Sequence, residues 1–328
     1  MVGILVTAGL ISVDPRHQST SVNKLDSGRG RDEKEDPLVV LGRERKVIVQ
    51  RIGEEPEERT DTVQTGTSSV PTFPRVIDFA DSVEEIEKLQ HENGTKPGSS
   101  GIDDNALTEY QLLGLGIRTV SFLGIQVYVV GIYVATDDIA KLQAKLVRQI
   151  TSTGSTLVAG EKEKLKTMLL DPQQGYEIWD DILRTSSIRS CVRIVPVRNT
   201  DFHHMRDAWV RLVTAKAQTN KAEYGDEAFG LAVSHFKQLF AKGSIPKGKE
   251  ILLNRKGDGK LAIWYDDGNE AKRLGEVQDE RIGRAVWLNY LAGKTVASEP
   301  ARKSTVDGLI EFVERPIGTV AAKIDVHA

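Results

Sequence analysis

The stretch LLGLGIRTVSFLGIQVYVVGIYV, which runs from Leu112 to Val134, decides the fold class of this chain. It consists of two runs of aliphatic and β-branched residues on either side of Leu123–Gly124. This pattern predicts two strands, at about 110–121 and 125–134, that pair as a hairpin or form a bent ribbon. Arg118 is the only charged residue in the stretch. Burying an unpaired guanidinium is costly. Arg118 is therefore expected either at a strand end in water or facing a cleft that receives an anionic or carbonyl-bearing ligand.

The other predicted elements surround this hairpin with helices and further strands. A strand is predicted at SCVRIVPV (190–197), and a second hairpin joins KEILLNRK and KLAIWYDD through the turn GDG, with Ile263 and Tyr265 on one face and Trp264 on the other. Helices are predicted at residues 139–150, 160–170, 177–184, about 199–242 and about 276–293. Thr136-Asp137-Asp138 is predicted to cap the first of them. Strands at both ends with helices between them indicate an α+β domain with a mostly antiparallel sheet covered by helices.

The charged residues divide the chain into two parts. Residues 1–66 contain the blocks RGRDEKED and GEEPEERTD and few aromatic residues, so they are expected to form a largely disordered leader and linker. Residues 67–325 are expected to form one domain with a helical insertion at about 150–186. The first residues, MVGILVTAGLISV, are too short for a membrane span of about 20 apolar residues and lack the basic flank of a targeting sequence.

Several classes of function are disfavoured by the sequence. The net charge is only -3 and no Lys/Arg cluster is interleaved with aromatic residues, so nucleic acid is an unexpected partner. The run LGLGIRT lacks the third glycine of a dinucleotide-binding loop, because Thr119 occupies that place. No GxSxG, HExxH or P-loop motif is present, which argues against common hydrolases and ATPases. The single cysteine, Cys191, cannot form an internal disulfide and is expected to be a small buried apolar residue.

A histidine pair stands at the start of the predicted helix in RNTDFHHMRDAWVRLV. Asn199 or Thr200 is expected to cap this helix. Its apolar residues recur at helical spacing as one stripe that forms core or cleft wall: Phe202, Met205, Trp209 and Leu212. On an ideal helix His203 lies about 100° from Phe202 and His204 about 200°. Adjacent histidines on a helix are usually solvated, but neutral imidazole is also a common ligand of haem iron and other metals, and both interpretations stay open.

Five segments form a recognisable series along the chain. They are QTGTSSVPTFPRVI, LGLGIRTVSFLGIQVYVVGIYV, VRIVPVRNTDFHHMRDAWVR, ILLNRKGDGKLAIWYDDG and RIGRAVWLNYLAGK. In this order they resemble the chalcone-isomerase fold family and, within it, the fungal chalcone isomerase-like proteins called altered-inheritance-of-mitochondria proteins. The resemblance extends over residues 63–320. It implies an open-faced β-sandwich, in which a large antiparallel sheet is covered by a helical layer and a ligand cleft lies between the two.

The resemblance also implies a modified site. Plant enzymes of this family cyclise chalcones with an arginine that holds the phenolate and with tyrosine, threonine and asparagine side chains as polar contacts. Arg118 matches the arginine, whereas Tyr128 stands where the enzymes have threonine. Phe202 stands in the place of the tyrosine and Trp209 in the place of the asparagine. Most of the polar assistance that the enzymes use is therefore expected to be missing.

The altered positions predict a flat apolar slot with one cation, which suits a flat acidic ligand. The fungal branch implies haem as that ligand, with Arg118 on the propionates and His203 or His204 on the iron, and it implies a mitochondrial location. A fatty acid or a flavonoid-like molecule is the alternative ligand. An intramolecular lyase activity organised by Arg118 and Tyr128 is the alternative function. Association with a membrane would depend on a leader that this sequence does not show.

Overall fold

A seven-stranded antiparallel sheet forms the centre of the fold in the computed structural model of this protein. The structure describes residues 46–49, 57–79, 108–120, 123–151, 154, 156–240, 243–268 and 271–314. The strands are β1 (Lys46–Val49), β2 (Glu57–Thr60), β3 (Thr62–Gln64), β4 (Thr72–Pro74), β5 (Val76–Phe79), β6 (Thr108–Val120), β7 (Ile125–Ala135), β8 (Ser190–Pro196), β9 (Thr200–Asp201), β10 (Ser244–Ile245), β11 (Glu250–Arg255), β12 (Leu261–Asp266) and β13 (Ala271–Val277). The order across the sheet is β13-β12-β11-β8-β7-β6-β5. The remaining strands pair two by two.

Eight helices are present among the described residues. They are α1 (Ile139–Arg148), α2 (Ala159–Leu170), α3 (Gln174–Thr185), α4 (Phe202–Thr219), α5 (Lys221–Tyr224), α6 (Glu227–Leu239), α7 (Glu280–Leu291) and α8 (Glu299–Val313). The combination of an antiparallel sheet with a helical layer confirms the predicted α+β class. None of these helices is long and apolar enough to span a bilayer.

Most of the predicted leader, residues 1–66, lies outside the described part of the chain. The described part of it contains β1 and β2, which pair with each other, and β3, which pairs with β4. The domain boundary near residue 66 and any membrane association through the leader therefore stay predictions. The predicted helical insertion at about 150–186 contains α2 and α3.

Two helix predictions differ from the structure. The long helix expected at about 199–242 is divided into α4, α5 and α6, because Asn220 and Asp226 each begin a new helix by accepting a backbone N–H with the side chain. The cap of α4 is Asp201 rather than Asn199 or Thr200. The helix expected to begin near Glu276 begins at Glu280, and Glu276 itself lies in β13. An edge strand tolerates such charged residues because one of its sides faces solvent.

The hairpin of β6 and β7 follows the prediction closely. Leu123 and Gly124 form its turn, and Gly124 has a φ of 63°, which glycine adopts without strain. Arg118 lies opposite Tyr128 in this pair. Side chains of β7 alternate between the helix-covered face, where Tyr128 belongs to the main core, and the far face, where Tyr133 lies.

Both faces of β7 are buried, which explains its nearly continuous apolar sequence. On the far face, Tyr133 donates its hydroxyl hydrogen to the carbonyl of Pro74 at 2.8 Å, and Phe73 packs beside Val129. Cys191 is buried on this face and forms no disulfide, as predicted. The second hairpin also matches, because Ile263 faces the helices and Trp264 faces away from them.

Helix α8 covers the edge of β6 that β5 leaves without a partner strand. Ser304 accepts the backbone N–H of Leu115 at 3.1 Å, and Ser298 donates to the carbonyl of Ile117 at 2.9 Å. A Cβ at Gly114 or at Gly116 would lie only 2.3 Å from the backbone of α8. The glycines of LGLG thus allow a helix to rest on a strand, and they form no nucleotide loop.

Candidate ligand-binding site

Arg118 is half-buried near the end of β6, where the sheet meets the segment between α7 and α8. Its guanidinium donates to the backbone carbonyl of Ala297 at 2.5 Å, and its Cζ lies 6.0 Å from the ring centre of Tyr128. No acid among the described residues forms an ion pair with it. A guanidinium has five N–H donors, so this cation retains donors for an external acceptor.

Two buried tyrosines lie beside this arginine. The hydroxyls of Tyr128 and Tyr290 are 3.3 Å apart, and the indole N–H of Trp209 donates to the hydroxyl of Tyr290 at 3.2 Å. The two hydroxyls use one hydrogen between them. No other acceptor among the described residues bonds to either hydroxyl, so the second hydroxyl hydrogen is left for an external acceptor.

The electrostatics keep both tyrosines neutral. Burial raises the pKa of Tyr128 well above its ordinary value, the neighbouring Tyr290 adds to this, and the positive charge of Arg118 only partly opposes it. Burial also raises the pKa of Tyr290, against the opposing effect of its hydrogen bonds with Tyr128 and Trp209. At neutral pH these hydroxyls are hydrogen-bond donors and not bases.

The predicted slot residues are brought together only in part. Trp209 joins Arg118 and Tyr128 through Tyr290, and its other side packs on Phe240 with ring centres 5.3 Å apart. Phe202 lies elsewhere in the same core and meets the ring of Tyr265 edge to face at 5.0 Å. All of these aromatic side chains except Tyr265 are buried, so they fill the space themselves. Their roles toward a ligand stay predictions.

The two histidines lie at the exposed start of α4. The His204 side chain is 82% exposed and that of His203 is 45% exposed, an order that the helical wheel predicts. Asp201 accepts the backbone N–H of His204, and this bond is the main reason why the pKa of the Asp201 carboxyl is lowered. An ionised carboxylate only accepts, so the contact of 2.7 Å between Asp201 Oδ2 and His204 Nδ1 places the hydrogen on Nδ1. In the neutral imidazole of His204, Nε2 is then the nitrogen that carries the lone pair.

These positions test how well haem fits the described residues. Arg118 suits a propionate and the aromatic rings suit a macrocycle. The histidines, however, are exposed on α4, whereas Trp209 of the same helix is buried against Tyr290. The residues therefore do not fit a haem held by Arg118 and a histidine in one pocket. No group of three or more metal-binding side chains occurs in the described ranges.

Tyr290 is not among the predicted site residues, although it connects the other members of the cluster. Its segment, RIGRAVWLNYLAGK, was recognised only as part of the family series. A usable signal was present, because a tyrosine on the apolar side of a buried helix needs a partner for its hydroxyl. Which partner it finds depends on the packing of α7 against the sheet.

Comparison with known proteins gives matches over most of the chain. A family model described as "Chalcone isomerase like" matches residues 108–306. The altered inheritance of mitochondria protein 18 of Debaryomyces hansenii is 34% identical over 63% of this chain and 68% of its own, and that of Kluyveromyces lactis is 32% identical over 62% and 65%. The corresponding protein of Saccharomyces cerevisiae strain AWRI1631 is 26% identical over 78% and 76%.

These relatives are all named as mitochondrial proteins, which confirms the predicted mitochondrial assignment. A solved structure, the Arabidopsis thaliana fatty-acid binding protein AtFAP1, is also similar. Its TM-score is 0.47 at 20% sequence identity, with 67% of this chain and 95% of that chain covered.

Proposed function

The chain belongs to the chalcone isomerase-like family, and we propose that it binds a small organic acid at Arg118 and does not isomerise a chalcone. The observation that carries the proposal is the state of Arg118: it is a half-buried cation without an ion-pair partner in the described residues, beside two neutral tyrosines. A carboxylate would supply the missing charge. It could also accept from the guanidinium and from the unused tyrosine hydroxyl.

The surroundings limit the rest of the ligand to an apolar body. Tyr128 lies beside the cation, Trp209 bonds to Tyr290, and Phe240 packs on Trp209. All three are buried and present ring carbon. The ligand class is therefore an amphiphilic acid, such as a fatty acid or a flavonoid-like acid. Because the aromatic side chains already fill most of the space, the body must either lie across the mouth of the cleft or displace a side chain.

The chemistry of the cluster argues against isomerisation. Burial raises the pKa of Tyr128, so its hydroxyl remains protonated and does not act as a base. By resemblance, Trp209 and Phe202 replace side chains that make polar contacts in the enzymes. An arginine alone can hold an anion, but it cannot also move the proton that ring closure requires.

A calorimetric titration with decanoate tests the proposal. Wild-type protein should bind decanoate saturably, and Arg118→Ala should bind at least about tenfold more weakly, the equivalent of about 1.4 kcal/mol. Arg211→Ala is the matched control, since Arg211 is an exposed arginine of α4. Equal affinity of the Arg118→Ala and wild-type proteins would refute the assignment. Turnover of a chalcone that is lost in Arg118→Ala would favour the lyase instead.

Haem is the second candidate, and the Asp201–His204 contact favours it. A carboxylate that fixes the Nδ1 hydrogen leaves Nε2 oriented for a metal, as outer carboxylates do for metal-bound histidines. We propose that any haem bound here is ligated by His204 at the surface of α4. A haem titration followed by absorption should then lose its Soret shift in His204→Ala and keep it in His203→Ala. An unchanged spectrum in His204→Ala would exclude this ligation.

A further inference from the structure

An apolar cavity lies between the sheet and the helices at the end of β7 remote from Tyr128. Its volume is about 20 Å³, and Ile132 and Val134 of β7 line its floor. Val134 is six residues from Tyr128, which corresponds to about 20 Å along a strand. The cavity is therefore separate from the Arg118 cluster.

Three of the residues that line this cavity each carry a buried hydrogen-bond donor without a partner. The donors are the indole nitrogens of Trp179 in α3 and Trp287 in α7, and the hydroxyl of Ser190 in β8. Each of these atoms is buried. A buried donor without an acceptor destabilises the folded protein. All three can donate and the indoles can only donate, so the complementary group is an acceptor.

A buried cation, Arg255, bonds to residues that line the same cavity. Arg255 is 2% exposed and lies directly opposite Ser190 in the pairing of β11 with β8. Its guanidinium donates to two backbone carbonyls, that of Ile188 at 3.3 Å and that of Leu183, while its Nε–H has no partner. Leu183 and Ile188 both line the cavity.

The acidic residues near Arg255 form their ion pairs with other cations. Glu280 accepts two hydrogen bonds from Arg284 at 3.0 and 3.1 Å. Asp258 forms an ion pair with Lys260 at 2.8 Å. Burial lowers the pKa of Arg255 to about 10, which shows that these acids compensate its charge only in part. Arg255 thus lacks the directly bonded carboxylate that a buried arginine normally has.

We propose that this cavity receives the carboxylate of a short aliphatic acid, with Arg255 supplying the positive charge and Ser190, Trp179 and Trp287 supplying hydrogen bonds. The carboxylate is the acceptor that matches both the donors and the cation. The apolar floor suits a short alkyl chain. A cavity of about 20 Å³ holds little more than one water, so a carboxylate with an alkyl chain enters only where α3 moves away from the sheet. This site is additional to the one at Arg118.

The tryptophan side chains provide the test, because the chain contains only 4 of them. Their indole N–H signals in nitrogen-15 NMR are assigned with single Trp→Phe variants, and the full chain is titrated with butanoate. The signals of Trp179 and Trp287 should shift saturably while that of Trp264 stays in place. The neutral probe butan-1-ol should bind at least about tenfold more weakly, as expected when a charge-assisted bond is lost.

Two variants connect the shifts to the proposed residues. Ser190→Ala should weaken butanoate binding at least about threefold, and Arg255→Gln should weaken it at least about tenfold. If Arg255→Gln fails to fold, Arg255→Lys replaces it in the test. Arg255→Lys keeps the charge and should bind butanoate more tightly than Ser190→Ala does. Unmoved Trp179 and Trp287 signals, or equal shifts with butan-1-ol, would mean that the cavity holds water only and would overturn the proposal. Movement of Trp209 alone would overturn it as well and would leave the Arg118 site supported.

Discussion

Gly308 of α8 lies directly against the backbone carbonyl of Leu113 in β6, since a Cβ built on Gly308 would come within 1.9 Å of that oxygen. Gly114 and Gly116 make the same approach possible from the strand side. The helix therefore rests on the strand backbone without side chains between them. This contact also sets the position of Ala297, just before α8, whose carbonyl accepts from Arg118.

A methyl group at Gly308 should therefore destabilise the protein. Alanine is favoured over glycine inside a helix by about 1 kcal/mol. The collision in Gly308→Ala should outweigh this gain and lower the free energy of unfolding by about 1–3 kcal/mol. Gly230→Ala is the matched control, because Gly230 also lies inside a helix but has nothing within 4 Å of its would-be Cβ. Urea denaturation should show that the free energy of unfolding falls in Gly308→Ala and rises in Gly230→Ala. A change of the same sign in both variants would contradict the close packing of α8 on β6.

Removing the hydroxyl of Tyr290 should cost more than removing that of a half-buried tyrosine. Tyr290→Phe leaves the buried Trp209 N–H without its acceptor, and the expected loss in unfolding free energy is about 1–3 kcal/mol. Tyr176→Phe removes only an acceptor of the half-buried Lys216 and should cost less, about 0.5 kcal/mol. A double-mutant cycle of Tyr128→Phe with Tyr290→Phe measures their coupling, and a coupling near zero would exclude the proposed bond.

The raised pKa values of Tyr128 and Tyr290 predict a loss of stability in alkali. In the unfolded chain a tyrosine releases its proton near a pH of about 10, whereas the folded protein holds both protons to higher pH. Above that pH the unfolded state binds fewer protons than the folded state, so stability falls as pH rises. The double variant Tyr128→Phe, Tyr290→Phe should show a shallower fall between about pH 9 and about pH 11. Identical slopes would mean that these hydroxyls ionise normally.

The contacts of Asp138 predict a loss of stability at low pH. The sequence predicts a helix cap here, but the Asp138 side chain makes no capping bond. It is buried between Arg189 at 2.8 Å and Lys141 at 2.6 Å. Burial raises the pKa of this carboxyl, yet the hydrogen bonds with Arg189 and Lys141 outweigh it, and the net pKa is lowered. The stabilisation is therefore present above the unfolded-state pKa of about 3.9 and is lost as pH falls through the lower folded value.

Asp138→Asn should accordingly destabilise the protein by about 3 kcal/mol at neutral pH, and the difference from wild type should narrow below about pH 4. Asp137→Asn is the control. Asp137 is the next residue in the chain, its side chain is 84% exposed, and its change should cost less than about 0.5 kcal/mol. Thermal unfolding at several pH values measures both, and a constant difference across the acid range would show that the charge of Asp138 is unimportant.

The strands were predictable because their pattern is local. A turn at Leu123–Gly124 between two apolar runs specifies a hairpin wherever it occurs, and the alternation around Trp264 specifies which side chains share a face. β13 was missed because its sequence, AKRLGEV, is charged like a helix surface. Its strand conformation comes from pairing with β12, which no local pattern reports.

By itself, the amino-acid sequence determined the α+β class, the main hairpins, the family series and the position of Arg118 as the one charge in its hairpin, since all of these depend on neighbouring residues and on residue type. Only the tertiary structure decided which hydrogen-bond or ion-pair partner each polar group has. Ala297 is 179 residues from Arg118, and Tyr290 is 162 residues from Tyr128. Hydrogen bonds and the cost of burying charge depend on distance in space. Which arginine finds a carboxylate, as Arg284 does, and which lacks one, as Arg255 does, is therefore settled only when the helices pack on the sheet.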